Sequence, residues 1–180
     1  MKADFFYSVY TVKKVLEIEP VFDWSKNILL SNITTSSTEA DNNSLFIPLT
    51  GARDGHDFII DALEKGARCF LCKKNHSVLK QLSSLQKEKA IFVEDPLVSL
   101  GKLAHFHRMR FSPLIIAITG SSGKTTTKEL LGQSLSSVGE ENLVITEKNF
   151  NNEIGLPFTL FRINEKTRIA VCELVMNHIG

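Results

Sequence analysis

At 180 residues the chain has room for one ordinary domain or two small ones. Its hydrophobic fraction of 43% and charged fraction of 23% fit a soluble globular protein, and a formal net charge of +1 gives no basis for a nucleic-acid partner. No apolar run is long enough to span a bilayer, so membrane insertion is not expected. Met1-Lys2-Ala3-Asp4-Phe5-Phe6 opens no signal-peptide core, which makes the expected compartment the cytoplasm. The 3 cysteines are an odd count and argue against a disulfide framework. Cys69 and Cys72 have C-x-x-C spacing but lie in a strand-like run with no second pair, so buried thiols are expected there and at Cys172.

In chain order, residues 8–18 place Val9, Val12, Val15 and Leu16 at helical spacing, with Lys13, Lys14 and Glu17 between them, and Pro20 ends that helix. Strands are expected over 27–34 and 45–49, the second closing at Pro48, with a long polar loop over 34–44. Asp54-Gly55-His56-Asp57 is either a turn with a helix cap or a ligand-contact loop, since Gly55 lets a backbone approach closely. A helix over 58–65 ends at Gly66. A strand over 68–72, a helix over 78–86 and a strand over 90–93 come next. A longer helix over 97–110 turns Leu100, Leu103, Ala104 and Phe106 inward and leaves His105 and His107 on a solvated, arginine-flanked face.

Phe111-Ser112-Pro113 marks a boundary, giving domains over 1–111 and 112–180. The second has a strand over 114–119, a helix over 124–138 ended by Gly139, a strand over 143–146, a loop to Asn152, a helix over 153–161 and a strand over 168–174. The fold class is α/β throughout, a small N-terminal α/β domain followed by the start of a parallel-sheet domain. Three parallel strands leave an apolar edge unpaired, so the second domain is expected to be incomplete, its remainder removed or supplied by a separate chain.

The strongest chemical signal is Thr119-Gly120-Ser121-Ser122-Gly123-Lys124-Thr125-Thr126-Thr127, between the apolar run 114–118 and a helix. Strand, small-residue turn, Lys-Thr and helix make up a phosphate-cradling loop. The turn converges backbone N–H groups, the helix adds the positive end of its dipole, Lys124 adds a full charge, and the Thr125 hydroxyl is placed to ligate magnesium. The common G-x-x-x-x-G-K-[ST] pattern has glycine where this chain has Ile118, so the loop is a variant with Gly120 as its first glycine. Glu173 is the one acidic residue of the 168–174 strand and falls near its C-terminal end, where ligands bind in open α/β sheets. A carboxylate there can hold the same magnesium. Asn149, Asn151 and Asn152 could bond ligand oxygens but are also ordinary turn residues, and a lone histidine such as His178 is more often structural.

Four ordered segments resemble the Mur ligase family, and within it the MurF branch. Residues 119–129 resemble its ATP loop, which tolerates a non-glycine at the Ile118 position. Residues 149–160 resemble its Asn-x-Asn-Asn-x-Ile-Gly-x-Pro-x-Thr-Leu segment, and 173–180 resemble its Glu-[Leu/Met]-Gly-x-Asn-His-x-Gly, with Val175 where glycine is usual. Residues 45–58 with Gly66-Ala67 resemble the UDP-sugar-binding domain that MurF shares with MurE. The resemblance implies that ATP phosphorylates the terminal carboxylate of UDP-MurNAc-tripeptide and that the amine of D-alanyl-D-alanine attacks the acyl phosphate. It implies ATP and Mg2+ as cofactors. Gly120, Ser121, Ser122, Gly123, Lys124, Thr125, Thr126, Asn149 and Asn152 would hold the nucleotide, and Thr125 and Glu173 the metal. Lys124, Glu173 and His178 would serve catalysis. Ser36, Ser37, Thr38, Asp54, Gly55 and His56 would meet the UDP-sugar. Ser36-Ser37-Thr38 stand where the family carries Asp-[Ser/Thr]-Arg. The family's later central-domain lysine and its dipeptide-binding domain have no counterpart in these 180 residues, so the chain alone is expected not to turn over. The alternatives are a non-catalytic ATP and UDP-sugar binding module, or half of a split enzyme, and a MurE-type ligase.

Overall fold

The computed structural model describes residues 1–18, 28–147 and 150–175. The chain divides into two compact units, Met1–Leu103 and Ala104–Gly180.

The first unit is a five-stranded sheet in the order β1-β2-β3-β4-β5. Its strands are β1 (Lys2–Ser8), β2 (Leu29–Thr34), β3 (Ser44–Phe46), β4 (Cys69–Lys73) and β5 (Ala90–Val93). Strand β1 is antiparallel to β2, and the other pairs are parallel. The edge strand β1 was not expected from the sequence. Its alternation is short: Phe5 and Tyr7 are buried while Phe6 between them is exposed. The pairing register shifts between Asp4 and Tyr7, a bulge of the kind common at sheet edges. Helix α1 (Val9–Val15) follows at once, with the Ser8 hydroxyl accepting the Thr11 N–H at its start. The expected proline stop at Pro20 lies outside the described residues.

One face of this sheet meets helix α2 (Ile59–Glu64) and the segment after β4. Phe46 and Phe70 are register partners on β3 and β4, and they pack with Ile59, Ala62, Leu63, Val78 and Leu82 into an apolar cluster. The expected helix over 78–86 is broken. A 3-10 turn covers Ser77–Lys80, and helix α3 (Ser84–Lys87) starts afresh. Ser83 is the cause: its hydroxyl accepts the Gln86 N–H at 3.3 Å while Gln86 accepts the Ser83 N–H at 2.9 Å, a capping box that fixes a new helix start. Cys69 and Cys72 are buried free thiols, and burial pushes them up to about 12 and about 11, so neither offers a thiolate near neutral pH.

Helix α4 (Pro96–Met109) buries Leu100, Leu103, Ala104 and His107. That corrects the solvated face expected for His107. The i, i+3, i+4, i+7 stripe simply continues through it. His107 Nε2 lies 2.7 Å from the Ile163 carbonyl, and its ring packs against Phe111 and Phe161.

The second unit holds a parallel three-stranded sheet of β6 (Leu114–Ile118), β7 (Leu143–Ile145) and β8 (Ile169–Glu173), in the order β6-β8-β7. The last strand in sequence is therefore the middle one in space. Helix α5 (Lys124–Ser134) follows β6, and α6 (Gly155–Phe161) precedes β8. Val144, Ile163 and Ala170 form the core beneath, with Phe111, Ile115 and Leu160 against them. Helix α5 stops before the expected residue 138: a 3-10 turn takes over at Ser136–Val138, ahead of Gly139 at φ 94°. Among the described residues no helix is long and apolar enough to cross a membrane.

Candidate functional site

Strand order decides what meets what. Because β8 lies between the other two strands, its C-terminal residue Glu173 pairs in register with Ile118, the last residue of β6, where the glycine loop begins. The Leu174 N–H donates to the Ile118 carbonyl at 2.8 Å and prolongs that pairing beyond the strands. On the other side the Thr146 hydroxyl, just past β7, accepts the Glu173 backbone N–H at 3.1 Å. Glu173 is thus held at the sheet's C-terminal edge from both flanks, with 2% of its surface exposed.

The loop from Gly120 to Gly123 is exposed and ends with Gly123 in the left-handed region, φ 74°, as the residue before α5. The next N–H groups, of Lys124, Thr125 and Thr126, precede the first intrahelical bond, Thr127 N–H to the Gly123 carbonyl at 2.9 Å, so helix geometry leaves them no partner within α5. Together with the helix dipole they make an anion-binding end. The Lys124 ammonium folds back onto the loop and donates to the Gly120 carbonyl at 2.6 Å.

The Thr125 hydroxyl reaches Glu173, 3.1 Å from Oε1 and 3.3 Å from Oε2. Two further groups share this carboxylate: Asn151, open between ligand contact and turn in the sequence, and Lys128, for which no role was expected. Asn151 Nδ2 donates to Oε1 at 2.9 Å, and Lys128 Nζ lies 3.3 Å from Oε2. Burial pushes the Glu173 carboxyl up, but the bonds from Asn151, Lys128 and Thr125, with the Lys128 charge, outweigh it and hold the group ionised below its usual range. Lys128 stands one helical turn after Lys124. That i, i+4 spacing on a phosphate-loop helix was its available signal.

The other expected nucleotide residues divide. Ser121, Ser122 and Thr126 are exposed beside the loop. The Asn152 side-chain oxygen accepts the Ile154 and Gly155 N–H groups at 3.2 and 2.7 Å, so it caps the approach to α6. Asn149 and His178 lie outside the described residues. Val175 needs no glycine conformation, since Glu17 is the one non-glycine with positive φ among the described residues.

In the first unit the residues expected to meet a sugar nucleotide follow β2 and β3, neighbouring parallel strands whose C-terminal ends share one sheet edge. Ser36 and Thr38 join their hydroxyls at 2.8 Å, Thr38 is exposed, and Ser37 is buried. The turn and cap open for 54–57 is present. Asp54 Oδ1 accepts the His56 N–H at 3.0 Å, and Gly55 donates its N–H to the Leu49 carbonyl, so close that an added Cβ would sit 2.5 Å from Leu49 backbone atoms.

His56 is buried and His76 stacks on it, ring centroids 4.1 Å apart. Asp54, His56 and His76 bring one ligand-type atom each within 4.8 Å of the others. The hydrogen bonds argue against a metal cage. His56 Nε2 faces the Lys73 N–H and His76 Nδ1 faces the Val78 N–H, so both accept, and the protons sit on the nitrogens that donate to Asp54 at 2.7 and 3.0 Å. The trio is a polar tie for the loop.

That tie has a pH signature. Burial holds His56 below its usual value against the opposing bond to Asp54, so it folds neutral. An unfolded histidine takes up a proton below about pH 6.5, so the unfolded chain binds more protons there and stability falls as pH drops. Asp54, held at about 2 by the His56 N–H and further bonds from His56 and His76, adds a second loss as pH falls below about 4. Urea midpoints at pH 7.5 and 5.5 are expected to separate in the parent and to separate less in His56→Gln, where buried His107 keeps its share of the difference. Equal separation in both removes His56 from the account.

A parallel sheet with a glycine loop, lysine and threonine opening the next helix, and a carboxylate on the adjacent strand define a phosphate-loop nucleotide-binding protein. Two family models match its segments, "Mur ligase family, catalytic domain" over residues 29–108 and "Mur ligase middle domain" over 118–180. The chain belongs to the Mur ligase family. It is 35% identical over 174 residues to the UDP-N-acetylmuramoyl-tripeptide–D-alanyl-D-alanine ligase of Haemophilus influenzae, a match covering 95% of this chain and 36% of that relative. The crystal structure of MurF from Acinetobacter baumannii superposes with a TM-score of 0.82 at 27% identity, over 99% of this chain and 37% of that one. MurF of Thermotoga maritima in complex with ADP gives 0.67 at 32% identity, over 78% and 31%. The chain thus spans little more than a third of the length of these relatives.

Proposed function

We propose that this chain supplies the nucleotide-activating and sugar-nucleotide-holding parts of an ATP-dependent ligase of peptidoglycan precursor synthesis, one that joins D-alanyl-D-alanine to UDP-MurNAc-tripeptide. The observation that carries it is the contact of the Thr125 hydroxyl with Glu173 at the end of the parallel sheet, beside the glycine loop onto which Lys124 folds. The likeness to MurF relatives supports the choice of substrates. The proposed substrates set the reaction in the cytoplasm.

The donor set suits Mg2+. Thr125 and Glu173 are hard oxygen donors 3.1 Å apart, and two ligands at right angles about 2.1 Å from Mg2+ stand about 3.0 Å from each other. When bound, the ion neutralises charge on the transferring phosphoryl group. The loop N–H groups and Lys124 hold the β- and γ-phosphates and orient the γ-phosphoryl group. The carboxylate oxygen of the tripeptide takes that group, releasing ADP. The dipeptide amine then attacks the acyl carbon, forming the amide as phosphate and a proton leave. In the first unit, Ser36 and Thr38 offer hydroxyls to the sugar nucleotide at the edge where β2 and β3 end.

The protein expressed from its gene is expected to convert UDP-MurNAc-tripeptide, D-alanyl-D-alanine and ATP–Mg2+ into UDP-MurNAc-pentapeptide, ADP and phosphate, followed by mass spectrometry. Consumption of UDP-MurNAc-dipeptide with a diamino acid instead transfers the chain to the MurE branch. Binding of ATP and UDP-sugar without product marks a binding module. Absence of binding to either sinks the proposal.

A further inference from the structure

Given the cation role proposed above for Thr125 and Glu173, on which this rests, we propose that Lys128 makes divalent-cation binding there conditional on bound nucleotide. The Lys128 ammonium lies 3.3 Å from Glu173 Oε2, with 6% of its side chain and 2% of the glutamate's exposed. The other groups bonded to this carboxylate, the Thr125 hydroxyl and the Asn151 amide, are neutral. Among the described residues Lys128 is the one full positive charge in contact with Glu173. A lysine so buried needs a partner, and Glu173 provides it.

Charge balance follows from that contact. With Lys128 in place, the buried pair is close to neutral before any ion arrives. A dication entering alone gains one carboxylate and one hydroxyl while facing an ammonium across the same carboxylate, with little water to screen the two. A di- or triphosphate held on the loop brings several negative charges and reverses the balance. Helix spacing divides the labour: Lys124 bonds the loop, and Lys128, one turn further on, bonds the sheet's carboxylate. Lys128 is thus a positioning residue, which orients one oxygen of Glu173 and keeps the site from collecting free cations.

The test titrates Mn2+ into the 180-residue chain and reads free Mn2+ by electron paramagnetic resonance, with and without ADP. The parent is expected to bind Mn2+ weakly alone and far more tightly with ADP. Lys128→Gln, which keeps a donor near Oε2 but no charge, is expected to bind Mn2+ alone about tenfold more tightly or better than the parent. Lys128→Arg is expected to keep the parent's dependence on ADP. A packing defect would weaken binding, so a gain isolates the charge. Equal nucleotide-free affinity in the parent and Lys128→Gln overturns the proposal. So does nucleotide-free binding by the parent as tight as with ADP, a reading that needs no variant to fold. Glu173→Gln separates the premise: if it binds Mn2+ with ADP as well as the parent does, Glu173 is not a cation ligand, whatever Lys128 does.

Discussion

Lys124→Ala is expected to weaken ATP–Mg2+ binding by about 2–3 kcal/mol, roughly 30- to 150-fold in Kd, with the fold unchanged. The side chain is half-buried, and its recorded bond is to the Gly120 carbonyl at the loop surface, so its loss removes little from the core. What disappears is the full charge proposed above to hold the terminal phosphates, and charge-assisted bonds are the strong ones. Removing the ammonium also frees the Gly120 carbonyl, which then turns to water at small cost. The dipole and the first N–H groups of α5 remain, so weak affinity persists. Calorimetric titration with ATP and Mg2+ measures the change, and far-UV circular dichroism checks the fold. A variant that binds ATP as the parent does would mean the loop is not a phosphate site.

The second large effect is expected at Gly155, which carries no side chain at all. This residue opens α6 and is packed onto the preceding loop. A Cβ there would stand 2.6 Å from the carbonyl carbon of Phe150 and closer still to its Cα, and backbone atoms cannot swing aside as a flexible side chain would. Gly155→Ala must push the 150–152 segment or the start of α6, at about 2–4 kcal/mol. The same segment carries Asn151, whose amide holds Glu173 and whose carbonyl accepts the Val175 N–H at 2.8 Å. The damage therefore reaches the carboxylate. Urea unfolding should show the loss of stability, and ADP–Mg2+ titration a weaker affinity. Gly101→Ala is the control: its added Cβ meets nothing within 4 Å on α4, and alanine favours a helix by about 1 kcal/mol. If both variants melt alike, the packing argument at Gly155 is wrong.

Much of the second unit could be read directly. The run 114–118, the glycine loop and the helix after it each have a local cause, in apolar continuity, backbone freedom and an unobstructed helical sequence. What the sequence could not state was strand order. Glu173 and Thr125 both fall near C-terminal strand ends in any parallel sheet, but their contact depends on β8 pairing directly with β6, which is a choice among tertiary pairings. Lys128 escaped for the same reason, and Asn151 stood open between a ligand contact and a turn. A lysine within a helix looks solvated until the strand that carries its partner is in place. In the first unit, β1 escaped because an edge strand buries one face over few residues, and the helix over 78–86 was misread because its apolar spacing hid the Ser83–Gln86 restart. His107 was misjudged from its arginine neighbours, although the Leu100, Leu103, Ala104 stripe predicts a buried residue there.

The central place of β8 also sets a timetable. Thr125 and Glu173 are 48 residues apart in sequence, and no shorter-range contact can substitute for their pairing. At about 5–20 residues per second, a ribosome delivers the glutamate roughly 2–10 s after the threonine. Throughout that interval Lys128 has no buried carboxylate to meet, and β6, which carries the loop, has no strand partner in its sheet among the described residues. Arrival of β8 thus anchors the loop's strand and delivers the carboxylate in one step.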